Sequence, residues 1–213
     1  PNSIFAADVF GYSLNYFGAD YSAIDPNKNL AANNFITDPS LNTNLATDAP
    51  NLFNGNINSM VTAIRNLDPN KVDALGNPIP VGTPLPQLMA YQYDQLNRIM
   101  QAKAYKDIDL ALNKWNSDTY ANRYFNSFTY EANGNIITQK RHAEDGTAIE
   151  DLTYRYKRNL TTGQLLQNRL YHVNETVTAT AFEDDIDDMG PFVSNLNDIN
   201  DDNNYIYDAE GRL

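Results

Sequence analysis

The sequence predicts a mainly β fold built from antiparallel hairpins, with long loops and at most minor helix. Of the 213 residues, 30 are Asn and 21 are Asp, residue types that favour turns. Hydrophobic residues make up 42% of the chain and aromatic residues 11%, which is enough to bury a core. A nine-residue pattern also recurs along the chain. These three observations together indicate strands separated by well-defined turns.

The recurring pattern reads aromatic, any residue, Tyr, acid, two residues of any type, Gly or Asn, Arg or Asn, aliphatic. Copies without gaps occupy 91–99, 128–136 and 205–213. Residues 53–57 keep the second half, and 152–156 with 168–170 read as one copy whose turn is stretched. The closing aliphatic residues are spaced by 42, 37, 34 and 43 positions; they are Ile57, Ile99, Ile136, Leu170 and Leu213. The chain therefore contains an irregular repeat of about forty residues.

Each copy predicts a hairpin. Aromatic residues two positions apart, such as Tyr91 and Tyr93, fall on the same face of a strand. The acid that follows, such as Asp94, can accept hydrogen bonds from backbone N–H groups two or three residues later. A type I turn favours a residue able to adopt positive φ three positions after the acid, which fits the positions of Asn97, Gly134 and Gly211. The residues predicted to form this structural motif are Tyr91, Tyr93, Asp94, Asn97, Arg98, Ile99, Phe128, Tyr130, Glu131, Gly134, Ile136, Tyr154, Tyr156, Leu170, Tyr205, Tyr207, Asp208, Gly211, Arg212 and Leu213.

The segments between the copies are less regular. Residues 8–17 alternate well enough to predict a strand. Residues 20–51 predict a long loop, and the four prolines of 77–87 predict an irregular connection. The acidic stretch 183–203 predicts a solvated loop before the last copy.

Two short segments match the helical spacing of apolar residues, at 57–64 and 108–115. We favour a strand for the first because Ile57 stands where a strand begins in the other copies. The pattern leaves 107–116 open between helix and strand.

The chain is interpreted as a single structural region, 1–213. It comprises an N-terminal strand with a long loop over 1–52, central repeats over 53–174, and an acidic loop with a last, truncated repeat over 175–213. The chain begins without Met or a signal-peptide pattern, and it ends inside the last repeat, at the aliphatic residue that closes its nine-residue pattern. We therefore expect a piece excised from a longer protein.

Charge is distributed unevenly. Residues 1–174 carry 14 basic and 16 acidic side chains, whereas 175–213 carry Arg212 alone against 11 acids. A nucleic-acid binder needs a basic face, so this distribution argues against that class and against adhesion to anionic membranes. No run of 18 apolar residues exists, so no membrane span is predicted.

The complete copy at 205–213, Tyr-Ile-Tyr-Asp-Ala-Glu-Gly-Arg-Leu, resembles the tyrosine-aspartate (YD) repeat of RHS proteins. Segments 8–14, 53–57 and 182–188 are similar to stretches around such repeats in bacterial members. The resemblance implies a curved or spiralling antiparallel sheet that, in complete members, forms a shell around a C-terminal cargo, often a toxin. It also implies a secreted or cell-surface location. Few copies are present here, and the segment that cleaves off the cargo is absent.

The same resemblance leaves a second function open, since carbohydrate binding has been proposed for YD repeats. The repeat tyrosines would then stack on sugar rings, whereas packing within the sheet explains them without a ligand. The turn acids Asp94, Glu131 and Asp208 are expected to cap turns rather than to exchange protons. Self-association through sheet edges and contact with the rest of the polypeptide are the other expected interactions.

No enzyme, cofactor or metal site is predicted. The chain lacks Cys, and its two histidines, His142 and His172, match no catalytic or zinc spacing. We expect His142 to be exposed and His172 to lie on a strand. Counting a calcium loop from Asp185 or from Asp198 leaves Leu196 or Ala209 where a bidentate Glu is required.

The acidic loop has two remaining interpretations. Its clustered acids could hold calcium weakly, or the loop could be a solvated linker. In the second case it could pair with the basic residues, which are Lys140, Arg141, His142, Arg155, Lys157 and Arg158.

Overall fold

The computed structural model describes residues 9–18, 43–73, 76–106, 108–109, 114–115, 122–159, 161–177 and 205–212. The strands and the helix are β1 Phe10–Asn15, α1 Thr43–Asp48, β2 Ser59–Arg65, β3 Pro84–Tyr93, β4 Ile99–Lys106, β5 Ile108–Asp109, β6 Lys114–Trp115, β7 Asn126–Tyr130, β8 Ile136–His142, β9 Ala148–Arg158 and β10 Leu165–Glu175. Among the described residues, helix is limited to the six residues of α1. The predicted mainly β, antiparallel class is therefore confirmed.

The chain divides into two compact units. Unit 1 comprises Pro1–Arg98 and Ala102–Ala121, and unit 2 comprises Ile99–Gln101 and Asn122–Leu213. Within unit 1, β1, β2 and β3 pair in that order as antiparallel strands. Within unit 2, β7, β8, β9 and β10 pair in that order, also antiparallel. The short strands β5 and β6 pair separately in unit 1.

Unit 1 contains an apolar core on one face of its strands. Val61 of β2 lies opposite Leu88 of β3, and both side chains are buried. The same cluster comprises Leu45, Ala49, Val61, Leu88, Ala90, Tyr105 and Trp115. Because side chains alternate along a strand, the opposite face carries the intervening residues, and several of these, such as Ile64, are exposed.

Helix α1 corrects the prediction of a continuous loop over 20–51. Leu45 and Ala49 lie one helical turn apart and are both buried in the core of unit 1. The carboxylate of Asp48 accepts hydrogen bonds from Lys103 Nζ, at 2.8 Å, and from the hydroxyl of Tyr105. These tertiary contacts stabilise a helix that is too short to be recognised from local sequence. Residues 20–42 lie outside the described part of the chain.

Strand β3 corrects the prediction of an irregular connection over 77–87, because it begins at Pro84. The backbone N–H of Tyr91 donates to the carbonyl of Asn58, next to β2. N–H groups alternate sides along a strand, so the nitrogens of Pro84 and Pro86 point away from β2. The two prolines therefore remove no hydrogen bond from the β2–β3 ladder.

The other predicted elements fall as follows. The strand predicted within 8–17 is confirmed as β1, and the strand favoured over 57–64 is confirmed as β2. The segment left open, 107–116, contains the strands β5 and β6, in which Ile108 pairs with Trp115. The loop at 183–203 lies outside the described residues.

Oppositely charged side chains pair between the strands and turns of unit 2. Arg141 Nη2 lies 2.7 Å from Glu150 Oε1, and Lys140 Nζ lies 2.8 Å from Asp151 Oδ2. Arg158 pairs with Glu131. These three basic residues thus have acidic partners on the strands and turns of the unit. The acidic loop lies outside the described residues, so its pairing with the basic residues stays a prediction.

The two histidines have different environments. His172 lies on β10, as predicted, and is 3% exposed. The prediction that His142 is exposed is wrong, because its half-buried ring packs edge-on against Phe125 with 5.6 Å between ring centroids. Its Nδ1 also lies 3.3 Å from the Phe125 carbonyl oxygen.

Candidate functional site

The three complete copies form turns with the same two backbone hydrogen bonds. The N–H of the acid donates to the carbonyl four residues later, at 2.9 Å for Asp94, 2.8 Å for Glu131 and 3.0 Å for Asp208. The residue three positions after each acid donates back to the acid's carbonyl at 3.0 Å in all three turns. That residue has a positive φ in each case, with values of 61°, 99° and 87° at Asn97, Gly134 and Gly211. The predicted positive φ three residues after the acid is therefore confirmed.

Asp94 stabilises its turn with both carboxylate oxygens. Oδ1 accepts the backbone N–H groups of Leu96 and Arg98, at 2.8 and 3.0 Å, and Oδ2 accepts Arg98 Nε at 2.6 Å. The hydrogen bond from the Arg98 backbone is the main cause that lowers the pKa of Asp94 below its ordinary value. This carboxylate is suited to holding a turn rather than to general acid–base catalysis.

The turn at 208–212 reproduces this arrangement. Asp208 Oδ1 accepts the Arg212 backbone N–H at 2.9 Å, and Oδ2 accepts Arg212 Nε at 2.7 Å. The first of these bonds is the largest cause of the lowered pKa of Asp208. The acid and the arginine of the pattern thus act together across the turn.

The copy at 128–136 uses a different partner for its acid. Phe128 and Tyr130 lie on β7, and Ile136 begins β8 opposite Tyr130. Asn135 replaces the arginine, and its Nδ2 donates to Glu131 Oε2 at 3.1 Å.

The stretched copy keeps the strand register of the copy at 128–136. Tyr156 of β9 lies opposite Leu170 of β10, as Tyr130 lies opposite Ile136. Tyr154 lies on the same strand, and the extra residues form a turn in which the Gln164 carbonyl accepts the Asn159 N–H. The insertion therefore lengthens the hairpin beyond the tyrosine without displacing the closing aliphatic residue.

The last copy departs from the prediction, because residues 205–208 are not assigned to a strand. The N–H of Tyr205 donates to the Tyr171 carbonyl at 3.1 Å, and the Tyr207 ring meets that of Tyr171 edge-on at 6.1 Å. Arg169 lies over the Tyr207 ring at 5.5 Å. The last copy thus contacts β10 both through a backbone hydrogen bond and through side-chain packing. Leu213 lies outside the described residues.

Tyrosine hydroxyls connect neighbouring copies. Tyr93 Oη donates to the Ile57 carbonyl at 3.0 Å, and Tyr130 Oη donates to the Ile99 carbonyl at 2.8 Å. In both cases the second tyrosine position of one copy bonds the closing aliphatic residue of the preceding copy. These bonds give the tyrosine of the pattern a role between hairpins as well as within the sheet.

Asparagine side chains form a second set of connections that the sequence reasoning missed. In each set, two asparagines of an Asn-Gly-Asn turn donate from Nδ2 to one asparagine oxygen of the following copy, and we call this arrangement an asparagine clamp. One clamp joins Asn54 and Asn56 to Asn97, and the other joins Asn133 and Asn135 to Asn168. The recurrence of Asn-Gly-Asn-Ile at 54–57 and 133–136 was the available signal.

Two further turns have the same backbone bonds outside the copies. They are closed by the N–H of Asp73 bonded to the Asn77 carbonyl and by the N–H of Ala143 bonded to the Thr147 carbonyl, both at 2.8 Å. Gly76 and Gly146 occupy the positive-φ position. A glycine three residues after the start of the turn would have indicated both.

Most of the repeat aromatics are half-buried. Burial raises the pKa of Tyr91, and burial together with Tyr91 raises that of Tyr93. Among the described residues, the strongly exposed aromatic rings are Phe10 and Tyr12 of β1 and Phe53 of the partial copy at 53–57, with 53%, 67% and 80% exposure. A stacking surface for a ligand would therefore lie on β1 and near Phe53 rather than on these repeat tyrosines.

The described residues contain no group of three His, Asp or Glu side chains placed to hold a metal ion. Both calcium-loop candidates fall largely or wholly outside them. In the described part of the chain, no helix has the length and apolar character needed to span a membrane. Comparisons with protein families, curated proteins and solved structures found no match to this chain.

Proposed function

We propose that this chain is a non-enzymatic structural segment of an RHS/YD-repeat protein, secreted or displayed at the cell surface. Its hairpins would supply strands to a larger shell that encloses or presents a C-terminal cargo, such as a toxin used in bacterial competition. The observation that carries this proposal is the agreement between the YD pattern and the turn geometry. The acid, the positive-φ residue and the arginine of the pattern each have a defined part in the turn.

The mechanism is mechanical assembly. A hairpin alone leaves much of its aromatic surface exposed, and stacking on a neighbouring hairpin covers that surface. The Tyr93–Ile57 and Tyr130–Ile99 bonds support such stacking, because each joins one copy to the preceding copy. Among the described strands, β1 pairs with β2 and β10 pairs with β9. Further repeats of the same polypeptide, or a strand of a second molecule, would pair with the other edges of β1 and β10.

Cryo-electron microscopy of the full-length protein tests this function. We expect the strands described here to continue into additional YD hairpins around an enclosed or presented C-terminal domain. A full-length structure in which these strands form a free-standing domain, with no further hairpins and no cargo, would overturn the proposal.

A carbohydrate- or surface-binding module is the second candidate function, and one observation favours it. Phe10 and Tyr12 are exposed on β1, and their rings lie 6.0 Å apart at an interplanar angle of 30°. Adjacent exposed rings of this kind can stack on the apolar faces of sugars. A glycan array should then show binding that Tyr12→Ala abolishes and that Leu96→Ala, at an exposed turn position, leaves intact. An array without hits would dismiss this function.

A further inference from the structure

The clamp of unit 1 has a fixed polarity. Asn54 Oδ1 accepts the backbone N–H of Asn56 at 3.1 Å, so the Asn54 Nδ2 group is directed away from its own turn. Asn54 Nδ2 then donates to Asn97 Oδ1 at 2.8 Å, and Asn56 Nδ2 donates to the same oxygen at 3.0 Å. Two donors therefore converge on the two lone pairs of a single carboxamide oxygen.

The clamp of unit 2 repeats this arrangement bond for bond. Asn133 Oδ1 accepts the backbone N–H of Asn135 at 3.3 Å. Asn133 Nδ2 and Asn135 Nδ2 donate to Asn168 Oδ1 at 2.9 and 2.6 Å. The same side-chain arrangement thus occurs twice, across sequence separations of 43 and 41 residues in unit 1 and of 35 and 33 residues in unit 2.

The two accepting asparagines share a sequence context but not a backbone conformation. Asn97 begins the triplet Asn-Arg-Ile, and Asn168 begins the triplet Asn-Arg-Leu. Asn97 lies in a turn with a φ of 61°, whereas Asn168 lies within strand β10. The feature common to both clamps is therefore the sequence triplet and the side-chain oxygen that it presents.

The copies differ in the hydrogen-bonding groups that their turns present to a neighbouring hairpin. In the turn at 94–98, Arg98 folds back onto Asp94, and Asn97 supplies an outward oxygen. In the Asn-Gly-Asn turns, asparagine takes the place of that arginine and supplies a donor to the next copy. The Asn-Gly-Asn turns thus donate side-chain hydrogen bonds, and the segments that contain Asn97 and Asn168 accept them.

We propose that the Asn-Gly-Asn-aliphatic turn is a recognition element for the Asn-Arg-aliphatic segment of the next hairpin. The two together form a pairing code that selects which hairpins stack and in which register. A Gly at the accepting position, as in the copy that contains Gly211, offers no oxygen to the two donors. This inference rests on the proposed structural function and adds to it the residues that determine the choice of neighbour.

A double-mutant cycle tests the code in unit 1. Asn97→Gly removes the accepting oxygen but suits the positive φ, since Gly134 and Gly211 occupy the matching position. Asn56→Ala removes one donor. We expect the two changes to be non-additive, with a coupling of about two- to tenfold in the unfolding constant measured by chemical denaturation. We also expect the side-chain NH₂ protons of Asn54 and Asn56 to exchange faster in Asn97→Gly.

Controls separate the code from general stability. Asn97→Asp keeps an accepting oxygen and should retain slow side-chain NH₂ exchange at Asn54 and Asn56. The matched cycle of Asn133→Ala with Asn168→Ala should show coupling of the same sign in unit 2. Additive effects in both cycles, with unchanged exchange of the side-chain amides and intact backbone turns, would overturn the code. That outcome would leave the structural function untouched, because the hairpins would persist without the clamps.

Discussion

The two units contain turns of the same kind, but their buried residues differ. Unit 1 buries an apolar cluster that includes Leu45, Leu88 and Trp115. Unit 2 buries Leu152 and Val173 together with polar residues, which are Arg123, Glu150, His172, Asn174 and Glu175. Both contain a clamp and a tyrosine bond between copies. Turn geometry and interior composition are therefore independent of each other in this chain.

The difference follows from what covers each set of strands. In unit 1, Leu45 of α1, Ala49 directly after α1 and Trp115 of β6 belong to the core. In unit 2, opposite charges face each other across β8 and β9, where Arg141 lies opposite Glu150 and Lys140 lies opposite Asp151. Hydrophobic burial is expected to dominate the stability of unit 1, and charged pairs to contribute more in unit 2.

The largest effect is expected from the apolar core. Leu88→Ala removes a fully buried side chain and should lower the free energy of unfolding by about 2–5 kcal/mol. Leu67→Ala, at a position 67% exposed in the same unit, should change it by less than about 0.5 kcal/mol. Chemical denaturation measures both. Equal small effects would show that the cluster of unit 1 does not stabilise the fold.

A smaller loss is expected from the charged interior of unit 2. Arg141→Met removes a partner of Glu150, whose side chain is 2% exposed, and should cost about 1–3 kcal/mol. Lys140→Met breaks the neighbouring pair with Asp151, which is more exposed, and should cost about 0–1 kcal/mol. If the two variants unfold at the same denaturant concentration, the burial of Glu150 does not increase the contribution of its ion pair to the free energy of unfolding.

The bonds between copies should contribute similarly in both units. Tyr93→Phe and Tyr130→Phe each remove one hydroxyl donor to a backbone carbonyl and should cost about 0.5–1.5 kcal/mol. Tyr12→Phe alters a tyrosine that is 67% exposed and should leave thermal and chemical unfolding unchanged. A loss confined to one of the two units would show that the bond is not a common feature of the copies.

The smallest effect concerns pH. The pKa of Asp94 is lowered in the folded chain, chiefly by the hydrogen bond from the Arg98 backbone, and that of Asp208 is lowered in the same way. Their stabilisation is therefore present above the unfolded pKa of about 4 and is lost as pH falls through the lower folded pKa. Carboxyl NMR titration should give midpoints below the ordinary value for both. Asp94→Asn should weaken the acid dependence of unfolding, and a midpoint at or above the ordinary value would contradict this account.

The hairpin turns could be predicted because their determinants are local. The positive φ at Asn97, Gly134 and Gly211, and the hydrogen bonds accepted by Asp94, involve residues at most four positions apart. Sequence pattern reports such contacts directly. The mainly β class followed from the same turns and from the spacing of aromatic residues.

Other features depended on contacts distant in sequence. Helix α1 was missed because its stabilising contacts come from Lys103 and Tyr105, which are distant in sequence. The start of β3 at Pro84 was missed because prolines are tolerated there only by virtue of the side on which β2 pairs. The clamp at Asn97 joins residues more than forty positions apart.

The sequence by itself determined where the chain turns and which residue takes the left-handed position, since those choices are made within five residues. Only the tertiary structure decided which side chains meet between copies and which interior is apolar or charged. Such contacts depend on strand register and on what covers each face, and neither is set by local conformational preference.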